Sequence, residues 1–173
     1  MWITQGVGNE KAFVSEFKQR LIDSYKQNWH ASIAGNDKYR WYNSFKDALY
    51  PDKYLDVLTN KWHRGTLVRF RTRTLGLYSN KRWFISDPLI HSVCPVCSDG
   101  LEDELHFLFD CNAYNALRIT NTLFIKFDMH KHNLGRSLSS GNNEIIKSLG
   151  AFIALANNLR KKKLQRAQVV PRS

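Results

Sequence analysis

No stretch of this chain comes near the roughly 18–20 consecutive apolar residues that a membrane-spanning helix needs, so a membrane location is not expected. The opening residues, Met1 to Gly6, lack the basic start and apolar run of a secretory leader. Cysteine is scarce as well. There are three, an odd number that argues against a disulfide framework and for a reducing compartment inside the cell, cytoplasmic or nuclear. Signatures of catalysis are missing: no nucleophile–base pair, glycine-rich phosphate loop or open metal pattern is visible. The chain therefore reads as a non-enzyme with no small-molecule substrate. Acidic residues run short, and from Val57 to Ser86 there are none.

What is present balances those gaps. Lys and Arg number 26 against 15 Asp and Glu over 173 residues, a net charge of +11 that suggests a polyanionic partner, RNA or DNA. A hydrophobic content of 43% is enough for a true core in one domain, or in one domain plus a small satellite.

All three cysteines sit in one short stretch with a histidine: Cys94, Cys97, His106 and Cys111, spaced C-x2-C-x8-H-x4-C. Three thiolates and an imidazole make a closed tetrahedral set for a structural Zn²⁺, with no position left for water. The Cys94–Cys97 pair belongs in a tight turn, and Asp99-Gly100 supplies a second one. His106 and Cys111 are five residues apart, about 140° around an unbroken α-helix, so a helix break or extended link is expected between them. Asp99, Glu102, Asp103, Glu104 and Asp110 crowd the same stretch. They read as helix-end charges that would repel phosphate from the tip of the knuckle.

The rest of the chain reads as helices, giving a mainly α fold with a small CCHC zinc knuckle inserted in it. Residues 10–29 carry Phe13, Phe17, Leu21 and Tyr25 on one stripe, widened by Val14, Ile22 and Trp29, and that stripe is expected to be core. Asn9 is expected to cap this helix. Further helices are expected over 38–49, from Pro51, over 65–77, over 112–127 and over 144–160, with a loop over 128–143. His130 and His132 have no third ligand nearby, so a second metal site is not expected. Three divisions result: 1–90 helical with a basic helix near its end, 91–118 the knuckle, 119–173 the last helices and a basic tail, all expected to form one compact unit.

Two basic stretches are candidates for phosphate contact. The first holds Arg64, Arg69, Arg71, Arg73, Lys81 and Arg82, and its like charges at helical spacing need something to offset their repulsion. A phosphate backbone would do so, while a merely solvated face is the alternative. Trp62, Tyr78 and Trp83 interleave these cations and could stack on bases or belong to the core. The second is Lys161-Lys162-Lys163, which reads as a backbone-binding tail, a localisation signal, or cations complementing a helix end.

With these features assembled, the chain resembles the C-terminal region of LINE-type (non-LTR) retrotransposon reverse transcriptase polyproteins. Cys94-Pro95-Val96-Cys97, then Glu102 to Cys111, then Tyr114 and Leu117-Arg118 carry the resemblance. Lys38 to Lys46, Tyr54-Leu55, Arg69 to Leu77 and Phe17 to Trp29 are similar to the stretch that precedes that knuckle. The resemblance implies a module that assists binding of template RNA or target DNA. It departs from the whole polyprotein in lacking the polymerase Tyr/Phe-x-Asp-Asp motif and the nuclease carboxylate set, which implies a non-catalytic remnant or fragment. The alternative, from a different class, is a protein-interaction zinc domain that offers its acidic knuckle to a basic partner.

Overall fold

The computed structural model describes residues 9–36, 39–46, 48–81 and 93–169. The described residues are mainly helical, with no strand beyond one isolated antiparallel bridge between Val93 and Leu101. Contacts divide the chain into Met1–Leu49 and Tyr50–Ser173. Within the second unit, the segment that carries the four predicted ligands meets the chain on both sides of it, Phe107 against Phe70 and Glu102 with Arg160.

In the first unit, α1 (Glu10–Ala34) begins where Asn9 accepts the Lys11 N–H in its side chain at 3.0 Å. Its apolar stripe is not core. Ile33 is the one described residue of α1 that is buried, while Phe17 and Tyr25 are 53% and 64% exposed. Helical periodicity says that one side is apolar; it does not say what covers that side. The helix expected over 38–49 shrinks to α2 (Arg40–Asn43), after which Phe45 tucks against Trp41 and Tyr42.

The second unit is built on α9 (Asn143–Val169), which continues well past the expected end at 160. Leu149, Phe152, Ile153 and Ala156 line its buried side. Against it pack α3 (Tyr54–Val57), α4 (Lys61–Arg71), α6 (Asn115–Arg118), α7 (Thr122–Ile125) and α8 (Leu134–Leu138). Gly150 lets Leu58 approach: a Cβ there would lie 2.9 Å from the Leu58 Cδ1. Phe124 meets Phe152 with ring centres 5.0 Å apart, and Phe70 and Tyr114 flank Phe107 at 6.0 and 5.1 Å. Removing one such ring from a packed core costs about 3–5 kcal/mol.

Helix α4 starts earlier and ends earlier than its apolar spacing suggests. Asn60 caps it by accepting the Trp62 and His63 N–H groups. It stops at Arg71 because Arg73 takes a left-handed φ of 57°, with Arg73 N–H donating to Phe70 O and Thr74 N–H to Arg69 O. This is a Schellman end with arginine where glycine is usual. The short α5 (Tyr78–Lys81) comes next. The expected helix over 112–127 is broken into a 3₁₀ turn (Asn112–Tyr114), α6 and α7, since Asn121 recaps the chain by accepting the Leu123 N–H. The expected loop over 128–143 holds a 3₁₀ turn (Lys131–Asn133) and α8.

Candidate metal centre

The four predicted ligands come together. One donor atom from each of Cys94, Cys97, His106 and Cys111 lies within 4.8 Å of every other. Cys94 and Cys111 have their Sγ atoms 4.0 Å apart, and Cys97 Sγ is 3.3 Å from His106 Nε2. A tetrahedral zinc site with Zn–S near 2.3 Å and Zn–N near 2.0–2.1 Å sets its ligand atoms about 3.5–3.8 Å apart. The donor set and its spacing therefore fit a metal ion, held through His106 Nε2 and the three sulfurs. Among the described residues this is the one Cys/His/carboxylate group that could do so. His130 Nε2 instead faces Asp128 at 2.7 Å.

Local folding explains the convergence. From Cys94 to Gly100 the chain turns back on itself: Ser98 N–H donates to Cys94 O at 2.8 Å, and Cys94 N–H to Gly100 O at 2.9 Å. Ser98 and Gly100 both have positive φ, 58° and 64°. Gly100 is also a matter of space, since a Cβ there would meet His106 Nδ1 at 3.2 Å. Asp103 then caps the next turn, its carboxylate accepting the His106 N–H at 2.8 Å.

Between His106 and Cys111 there is neither a break nor an extended link. His106–Asp110 forms a π turn, closed by the Cys111 N–H donating to His106 O at 2.8 Å. A π turn bonds residue i to residue i+5. The widening brings Cys111 back over His106, where an α-helix would have carried it away. The same turn buries Phe107 and Leu108 in the core. Arg118 holds its end, donating to Leu108 O at 3.1 Å and to Cys111 O.

Burial pushes the Cys94 thiol up, and it pushes the Cys111 thiol up to about 12. Both cysteines are thus neutral thiols without a cation beside them. A divalent ion reverses that preference, because a coordinating thiol is deprotonated outright.

The acidic cluster is only partly a surface feature: Asp99 and Asp110 are exposed, but its two glutamates are not. Glu102 and Glu104 are each 1% exposed. Glu102 accepts Arg160 Nε at 2.6 Å and Arg160 Nη2 at 2.8 Å, and it also accepts the Tyr78 N–H. Burial alone would lower the Arg160 guanidinium, but the hydrogen bond and charge of Glu102 outweigh it and raise it. Glu104 pairs with Arg73 at 3.2 Å, and burial still holds its carboxyl above the usual range. Asp110 pairs with Lys131 at 2.8 Å.

The phosphate contacts expected from the sequence divide. Arg71 is a correction: its side chain is 2% exposed, pairs with Asp52 at 3.0 Å and donates to Leu138 O, so it is internal to the fold. Arg73 is engaged with Glu104 and closes α4. Half-buried Arg64 donates to Leu55 O and Leu58 O, closing α3. The repulsion along this stretch is offset from within, by Asp52 and Glu104. Arg69, Lys161 and Lys162 are exposed, and Lys163 reaches Val96 O at 3.4 Å. Lys81 ends α5, and its side chain is not among those described; Arg82 and Trp83 lie outside the described residues. Trp62 is exposed, and Tyr78 lies under the Arg160 guanidinium.

Arg160 and Arg118 are structural residues that the sequence reading misses. Arg160 has a visible signal, since it continues the Leu149, Ile153, Ala156 stripe. Fold and site define a mainly helical protein with a Cys₃His cluster that could hold a metal ion. No family model, curated protein or solved structure matches the chain.

Proposed function

We propose that this chain is a zinc-stabilised, non-catalytic module that binds RNA or DNA with weak sequence selectivity. In this reading Cys94, Cys97, His106 and Cys111 form a closed CCHC knuckle whose zinc is structural. The observation that carries it is the link between the knuckle and the basic end of α9. Arg160 is locked to Glu102; beyond it, Lys161 and Lys162 point into solvent while Lys163 rests on Val96 O. A metal that orders the knuckle also sets the stance of those cations. The resemblance to LINE-type C-terminal regions points the same way, and so does the net charge of +11. The protein-interaction alternative needs an acidic knuckle, and two of its carboxylates are taken up by internal ion pairs.

The test has two arms. Metal analysis of the purified chain is expected to give about one zinc per molecule, lost on replacing His106 with Ala. Fluorescence anisotropy with arbitrary single-stranded RNA and DNA is expected to show binding that weakens steeply with salt. A metal-free preparation of normal stability would remove the zinc half. Binding indifferent to salt, or absent, would remove the nucleic-acid half.

A further inference from the structure

The three thiols of the candidate metal centre are free, and they differ in what can reach them. Cys94 and Cys111 are covered, 1% and 0% exposed, whereas Cys97 is half-buried. Cys97 Sγ donates to Asp99 O at 3.2 Å, a hydrogen bond at the surface. An oxidant dissolved in water therefore meets one sulfur of the three first.

A thiol oxidised with no second thiol in reach climbs to acids that are not reversed, while one beside a second thiol closes a disulfide. Every donor atom of the cluster lies within 4.8 Å of every other, so Cys97 has two thiols in reach. Closing to an S–S bond of about 2.05 Å needs one of the side chains to move. Cys94 and Cys97 share a turn, held by Ser98 N–H donating to Cys94 O at 2.8 Å. The ring closed between them is the shortest on offer. Cys111 is fixed instead at the end of the π turn, its N–H on His106 O at 2.8 Å and its carbonyl on Arg118.

We infer that Cys97 is a site of oxidation by hydroperoxides and that Cys94 resolves it, closing the Cys94–Cys97 turn into a disulfide. With hydrogen peroxide, the O–O bond breaks, one oxygen goes to Cys97 Sγ as a sulfenic acid, and one water leaves. Cys94 Sγ then attacks that sulfur, the S–O bond breaks, and a second water carries off the proton. Two thiols and one peroxide thus give one disulfide and two waters, the sulfurs losing the two electrons that peroxide gains. Only His106 and Cys111 remain as donors, too few for a closed tetrahedral set. The inference rests on the zinc reading above and adds a condition that empties the site.

The zinc-loaded full chain is treated with a small excess of hydrogen peroxide, then alkylated. About one zinc is expected to be released per disulfide formed, read with a chromogenic chelator. Cleavage after Glu102 and Glu104 separates Cys111 from the other two cysteines. The disulfide is expected within the Cys94–Cys97 peptide, and the alkyl group on Cys111. Dimedone, which traps sulfenic acids, is expected on Cys97 alone, and dithiothreitol with zinc restores the metal content. A disulfide joining Cys94 to Cys111 overturns the inference. So does dimedone on either buried thiol, or zinc retained with all three thiols unreacted. A chain purified without zinc counts against the zinc reading instead. Peroxide treatment of that metal-free chain still decides whether Cys97 reacts first and closes onto Cys94.

Discussion

Cys111 shows how much a single side chain's surroundings decide. Its thiol is fully buried and pushed up to about 12, so at neutral pH it holds its proton. A metal competes directly with that proton. Uptake of zinc by the metal-free chain is therefore expected to release protons into a weakly buffered solution, and an indicator dye reads them. As pH falls, protons displace the metal; as pH rises, the metal is held more tightly. Uptake without proton release would mean that these thiols are not ligands. Glu102 carries a different prediction. It is buried with Arg160, and removing one partner of such a pair strands the other charge, at about 3–5 kcal/mol. Glu102→Ala is expected to lose roughly that much in urea unfolding. Replacing the pair together, Glu102→Leu with Arg160→Met, is expected to recover most of it, since apolar substitutes of similar volume are often neutral. A double variant as unstable as the single one would show that the pair is not the cause.

At the scale of elements, the π turn decides whether the ligands meet. An i→i+5 bond lets one short segment present His106 and Cys111 on one side and Phe107 with Leu108 on the other. The geometry tolerates no change of length. Inserting one alanine between Asp110 and Cys111 rotates the cysteine by about 100° on a helical path. Such a variant is expected to lose zinc while keeping most of its helical dichroism, because α9 and α4 have their own apolar contacts. Retained zinc would show that the segment can rearrange around the insertion. Helix α1 is the counter-case. Its stripe is legible as helix but is not core, since Phe17 and Tyr25 remain largely exposed.

Across the whole molecule, the basic residues have two fates that the sequence does not separate. Arg71, Arg73 and Arg160 neutralise Asp52, Glu104 and Glu102 inside the fold, whereas Lys161 and Lys162 face water. The two groups are expected to answer to different experiments. Replacing Lys161, Lys162 and Lys163 with Gln is expected to leave stability nearly unchanged. It should flatten the salt dependence of binding by about 0.7 per lost contact on single strands and 0.9 on duplex. Arg71→Gln is expected to do the reverse, unfolding at lower urea because Asp52 loses its partner. Binding lost in the lysine variant without any change in salt slope would place the contacts elsewhere.

The spacing of Cys94, Cys97, His106 and Cys111 was enough to pick out four residues that the fold brings together, because only a few chain separations let such donor atoms converge. The helical character was equally legible, since apolar residues at 3.6-residue spacing need no tertiary information to declare a helix. Helix ends were less so: Asn60 and Asn121 act as caps through side-chain geometry that many asparagines never adopt. What only the tertiary structure decided is where each charge goes. A run of carboxylates reads as exposed until a partner such as Arg160, 58 residues on, is shown to meet Glu102 at 2.6 Å. Burial of a charge is a property of two distant segments brought together, and no local pattern records it.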